Sequence, residues 1–174
     1  MEQSFRIRRL TPSEARDAAT ALAEVLTDCV WGGASVSFMA DLTSAEAEAF
    51  WRDETAQDDG RTILVAEDAE GVFGVVQVIP VATSNQPHRV DISKLLVHRR
   101  GRRRGAAEAL MLATEDAARE MGRWLLVLDT VTGSPADFLY EKRGWSRAGV
   151  IPDYALMPDG ALCDATFFYK ALAR

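Results

Sequence analysis

LLVHRRGRRRGAAEALML, residues 95 to 112, runs from an apolar segment through five arginines in six positions into an alanine- and leucine-rich stretch, in a chain of net charge −6. From Gly105 to about Met121, residues Ala106, Leu110, Ala113, Ala117 and Met121 recur at helical spacing, and Gly122 ends the pattern. WLLVLDT (124–130) follows as an unbroken apolar run of the kind found in strands covered on both faces. Strand, crossover helix and strand predict a parallel pair with a right-handed connection.

The arginines fall at the turn from strand to helix. A helix N-terminus already carries partial positive charge and unpaired amides, so cations piled there call for an anion, a phosphate or pyrophosphate. Gly101 and Gly105 would let the backbone approach it closely. The plainer alternative is a solvated loop whose charges face water. No G-x-x-x-x-G-K-[ST] or G-x-G-x-x-G occurs, which disfavours a nucleoside triphosphate or NAD. Of 20 Lys and Arg, 15 lie outside this run and face 26 Asp and Glu, so the remaining surface repels nucleic acid, and no nucleic-acid partner is expected.

Working outward, HRVDISKLLVH (88–98) reads as the strand that feeds the arginine turn, while RTILVAED (61–68) and VFGVVQVIPVA (72–82) read as a hairpin across Ala69-Glu70-Gly71. FRIRRL (5–10) alternates as a first strand, and Thr11-Pro12-Ser13-Glu14 is a capping box for one helix to about Val30. A second box, Thr43-Ser44-Ala45-Glu46, opens a helix to about Thr55. Downstream, Ser134-Pro135-Ala136-Asp137 opens a last helix closed by Gly144, and WSRAGVI and ATFFYKAL form a hairpin across a long loop, IPDYALMPDGALCD. The expected fold is a single α/β domain over residues 1–174, with a mixed central sheet of about seven strands: strand, two helices, three strands, helix, strand, helix, two strands. Its first or last strand would form the sheet edge available to a possible homodimer.

Hydrophobic residues make up 48% of the 174, the start MEQSFRIRRL lacks a basic-then-apolar leader, and no long apolar run occurs, which predicts a soluble cytoplasmic protein without membrane contact. Two cysteines and two histidines in no ligand spacing predict neither a disulfide framework nor a metal site. His88 and His98 have no evident partner in the sequence.

Arg102-Arg103-Arg104-Gly105-Ala106-Ala107, preceded by Leu95-Leu96-Val97, resembles the acetyl-CoA signature R/Q-x-x-G-x-G/A of the GNAT superfamily of N-acetyltransferases, and LYEKRGW (139–145) resembles its L-Y-x-K-x-G-F segment. LLVLDTVTGSPADFLY and GVIPDYALMPDGALCDATFFYKAL resemble more narrowly the tabtoxin-resistance type, an antibiotic- or toxin-modifying acetyltransferase. The resemblance implies acetyl-CoA as co-substrate. It places the pantetheine arm along Leu95, Leu96 and Val97, and the pyrophosphate on the amides of Arg102 to Ala107. Two positions depart from the pattern: Arg99 stands where a proline is frequent, and Gly133 where an asparagine contacts the pantetheine arm, a contact that Ser134 would have to replace.

Acetyl transfer to an amine needs a neutral amine, a stabilised oxyanion and a proton for the departing thiolate. Tyr140, matching the family tyrosine, is the candidate acid; without the resemblance it reads as a packing aromatic. Asp129 and Asp91, where strands meet the expected cleft, are candidate bases. Asp129 reads equally as a cap with Thr130 and Thr132, and Asp91 as a surface residue. Direct attack within a ternary complex needs no nucleophilic side chain. Trp31 and Tyr154, in the loops after the first helix and between the last strands, are candidate walls for a small-molecule amine.

Overall fold

The computed structural model describes residues 5–173. In chain order it contains β1 (Arg6–Arg9), α1 (Pro12–Asp17), α2 (Ala19–Trp31), α3 (Ser44–Ala56), β2 (Thr62–Asp68), β3 (Gly71–Pro80) and β4 (Arg89–Val97). A 3-10 turn (Arg99–Gly101) leads into α4 (Ala106–Glu120), followed by β5 (Leu125–Val131), α5 (Pro135–Lys142), β6 (Ser146–Leu156) and β7 (Leu162–Ala171). The strands form one mixed sheet in the order β1-β2-β3-β4-β5-β7-β6.

Local sequence sets most of these boundaries. Thr11 and Thr43 each close a reciprocal capping box, with Glu14 and Glu46, and Ser134 Oγ accepts from the Asp137 amide to start α5. The single helix expected from residue 12 to 30 is instead broken at Ala18, where ψ opens to −1°. Alanine favours helix on both sides of that residue, so no breaker announces the kink.

Two further expectations are corrected. The expected long loop between the last strands is mostly strand, leaving 157–161 as the turn. β6 is exposed along almost its whole length, so it lacks the alternation that would mark it as a strand. Residues Pro152 to Tyr154 bulge out of its ladder between Ile151 and Ala155, with Asp153 at φ 50°. β7, expected at the sheet edge, lies between β5 and β6; the edges are β1 and β6. Seven antiparallel pairs from Leu125↔Ala171 to Val131↔Ala165 hold β7 inside.

One core layer lies under α4 and α5 and contains Phe73, Leu110, Met111, Leu126 and Phe168; the other, under α1–α3, contains Leu22, Leu26, Trp51, Val65 and Val75. Each such side chain contributes about 2 kcal/mol of burial. Among the described residues no helix is long and apolar enough to cross a membrane.

Candidate functional site

β4 and β5 run parallel but pair only over Arg89↔Leu125, Val90↔Leu126 and Asp91↔Val127. Beyond Asp91 the strands part and a wedge opens between them. A bulge in β4 helps to steer its outer half. Gln77 faces Ser93 and Val75 faces Leu96, so β4 spends three residues where β3 spends two, and Lys94 sits at φ 55°. The extra residue reverses the alternation: Val90 and Ile92 pack under α4, whereas Leu96 packs on the α2–α3 side.

Because Asp91 faces Val127, Asp129 two residues on shares its side of the sheet. Their neighbours Val90, Ile92, Leu126 and Leu128 fill the α4 layer, which leaves both carboxylates on the α2–α3 side of the wedge. Asp91 accepts from Arg89 at 3.2 Å. The capping role considered for Asp129 is filled by others. Ser134 Oγ caps α5, Asp137 accepts from the Gly133 amide at 2.6 Å, and Thr132 pairs with Thr166 at 2.8 Å. Asp129 is exposed in the wedge, yet desolvation by the surrounding strands pushes its carboxyl above the usual range; Lys94 opposes this and Asp91 adds to it.

Tyr140 approaches from the opposite face. Its ring is buried between Trp145 and Phe168, with centroids 5.8 and 5.6 Å away. Burial, aided by the charge of Asp129, pushes its phenol well above the ordinary value, so it stays protonated throughout the physiological range. Acid and base candidates thus flank the wedge from the two sides of the sheet.

The arginine turn is built differently from a simple anion cradle. Arg99 bonds Asp28 of α2 through both its amide and its guanidinium, and Arg100 and Arg104 converge on Asp68 at the end of β2, at 3.0 and 2.8 Å. Their guanidinium groups also lie 5.0 and 4.7 Å from the Phe73 ring centroid. Asp28 and Asp68 are the residues that sequence reasoning missed; nothing local to either marks it. His98, which lacked a partner in the sequence, caps the 3-10 turn by accepting from the Arg100 amide and lies 3.6 Å from Asp28. His88 stacks on Trp124 at 4.7 Å.

Three of the five arginines therefore serve as clamps, and Arg102 and Arg103 remain exposed at the mouth of α4. Gly105 opens that helix at φ 83° with no side-chain cap, unlike α1, α3 and α5. The first-turn amides of Ala106, Ala107 and Glu108 have no acceptor within the helix. Gly101 serves packing: a Cβ there would sit 2.0 Å from the Phe73 ring. Of the strand residues, Leu96 is buried and Leu95 half-buried, and the Val97 carbonyl already accepts from Arg102 Nε at 3.3 Å and Cys29 Sγ at 3.5 Å.

The Asp68 clamp yields a pH prediction. Hydrogen bonds from Arg104 and then Arg100 outweigh desolvation and hold its carboxyl down at about 2, below the value of about 3.9 in an unfolded chain. The contribution is complete above about pH 4 and lost as pH falls towards 2. Urea unfolding at pH 7, 4 and 3 should show this acid-sensitive component in the native protein and its disappearance in Asp68→Asn.

The loop from 32 to 43 and the β6–β7 turn meet at the same end of the sheet, beyond the C-terminal ends of β4 and β5. Ala40 donates its amide to the Pro158 carbonyl at 3.0 Å, and Ser35 Oγ to Leu156 O at 2.7 Å. Trp31, anchored by Nε1 to the Leu42 carbonyl, lines an open cleft of 340 Å³ with Met157, Pro158 and Asp159. Tyr154, on the β6 bulge, packs edge-on to Phe167 at 5.3 Å rather than lining that cleft.

A model of the acetyltransferase (GNAT) family matches residues 31–145. Among solved structures, YncA of Salmonella typhimurium, determined with acetyl-CoA, superposes with a TM-score of 0.79 at 20% identity over 98% of this chain and 95% of its own. An N-acetyltransferase of Staphylococcus aureus Mu50 gives 0.79 at 22% identity, covering 97% and 99%. The ribosomal-protein-alanine N-acetyltransferase of Brucella melitensis gives 0.76 at 21%, covering 96% and 99%.

Proposed function

This chain belongs to the acetyltransferase (GNAT) family, and from that premise we propose that it acts as one domain transferring the acetyl group of acetyl-CoA to the amine of a small molecule, by direct attack in a ternary complex. The observation that carries this reading is the wedge between β4 and β5, with an uncapped helix N-terminus at its mouth. An unpaired strand edge suits an amide-bearing pantetheine arm, which can bond to β4 near Leu95 to Val97 as a further strand would. The amides from Arg102 to Ala107, with exposed Arg102 and Arg103, suit a pyrophosphate. Ser134 is occupied in capping α5, so it is a poor substitute for the missing asparagine at Gly133.

In this mechanism Asp129, assisted by Asp91, takes a proton from the incoming ammonium, directly or through water, and the free amine attacks the thioester carbonyl. A β4 amide steadies the oxyanion as the tetrahedral centre forms. Collapse of that centre breaks the C–S bond as Tyr140 gives its proton to the sulfur; the surplus proton on the new amide nitrogen passes, through water, to the Tyr140 phenolate, and Asp129 releases its own proton to solvent. The finer placement in the tabtoxin-resistance type, with an antibiotic or toxin as acceptor, is part of this proposal and rests on 125–140 and 149–172. Cytoplasmic location belongs to it as well.

Thermal unfolding with acetyl-CoA tests the reading. Ligand at a hundred times its Kd adds about 2.7 kcal/mol, so acetyl-CoA should raise Tm by several degrees while a short DNA duplex does nothing. Stabilisation by DNA with no response to any CoA species would overturn it.

A further inference from the structure

We propose that Lys94 anchors a carboxylate on the acceptor, which makes the acceptor an amino acid or a close analogue rather than a simple amine. The inference rests on the acetyl-transfer reading above and narrows it.

Lys94 occupies the β4 bulge, and its ammonium donates to Ser37 Oγ at 3.2 Å. Both residues hold positive φ, 55° and 77°, a conformation that L-residues other than asparagine and aspartate adopt reluctantly. Backbone strain of this kind persists only where the surroundings enforce it. The ammonium also lies 5.5 Å from the centroid of the Phe50 ring on α3, on the side of the sheet that carries Asp91 and Asp129.

Its charge is poorly compensated. Arg61, Arg89, Arg99, Arg100 and Arg104 each have a carboxylate within salt-bridge distance. Among the described residues, none lies within 4.0 Å of Lys94 Nζ. Glu54, which acts on it from farther off, is already engaged by Arg61 and by the buried Gln77. A half-buried cation without a counter-ion bears a desolvation cost that an anion brought from outside would offset. Asp129 is near enough for each charge to act on the other. A cation and a carboxylate therefore border the same side of the wedge. An amino acid presents the complementary pair, its carboxylate to Lys94 and its ammonium to Asp129.

The experiment measures thiol release from acetyl-CoA with the proteinogenic amino acids, each beside its own carboxamide, for the native protein, Lys94→Met and Lys94→Arg. The native protein should prefer at least one amino acid over its amide by about 30-fold in kcat/KM, as expected for a charge-assisted contact of this strength. Lys94→Met should raise KM for the acid and bring the ratio near one while KM for the amide stays as it was, any change in kcat through Asp129 falling on acid and amide alike; Lys94→Arg should restore part of the preference. A native ratio near one, or no turnover of any amino acid by a protein that acetyl-CoA stabilises, overturns the inference and leaves the acetyltransferase reading standing. Equal losses on acid and amide in Lys94→Met that leave the ratio intact overturn it too, since a structural lysine would behave that way. Absence of any acetyl-CoA stabilisation strikes the proposed function, and the inference falls with it. If Lys94→Met fails to fold, the native ratio and Lys94→Arg decide.

Discussion

Tyr140→Phe should lower kcat by about 10²-fold while leaving acetyl-CoA stabilisation and Tm nearly unchanged. Phenylalanine keeps the contacts with Trp145 and Phe168, so the packing survives and only the hydroxyl is lost. General acid catalysis is worth about 10²- to 10⁴-fold. The low end applies here because burial makes this phenol a weaker acid than a free one, so proton transfer to the departing thiolate gains less driving force. The same burial guarantees that the proton is present when needed. Steady-state thiol release at saturating acetyl-CoA measures the effect. An unchanged kcat would reduce Tyr140 to a packing aromatic and move the acid elsewhere.

Gly101→Ala should cost about 3 kcal/mol, which for a chain of this size lowers Tm by roughly 6 to 12 °C. The added Cβ would lie 2.0 Å from Phe73 Cδ2 and 2.5 Å from Cε2, inside any tolerable contact. The ring has little room to retreat, because it is fully buried, meets Phe5 edge-on at 5.6 Å and carries the guanidinium groups of Arg100 and Arg104 against it. Relief must come from moving the 3-10 turn, which drags the amides that follow. Acetyl-CoA affinity should therefore fall together with stability. Calorimetry on Gly101→Ala and on Gly101→Ala/Phe73→Leu checks the cause: the smaller side chain should return part of the lost Tm if the clash is responsible. A single mutant as stable as the native protein would show that the turn is not pinned to Phe73.

The order of elements was legible because it depends on short-range signals. Periodicity marked α4 and β5, capping boxes marked the starts of α1 and α3, and Ser134-Pro135 marked α5. What escaped had no local signature. The break at Ala18 involves a residue equally at home in either helix, and β6, exposed along almost its whole length, reads as a loop through Pro152-Asp153-Tyr154. The candidate site divides in the same way. The arginine turn stood out by residue type and position, whereas Tyr140 was picked out only by the resemblance of LYEKRGW to the family segment. The bulge at Lys94 depends on pairing with β3, which no pattern within HRVDISKLLVH encodes.

The arginine run makes the division plain. Its sequence established that cations crowd the start of α4, because charge and helix polarity are local properties. Only tertiary structure decided which of those charges are available: Asp28, 71 residues before Arg99, and Asp68, 36 before Arg104, arrive through the folding of α2 and the β2–β3 hairpin and take three arginines as clamps. Ion pairs form between groups that the fold brings within a few ångströms, and separation along the chain carries no information about that distance.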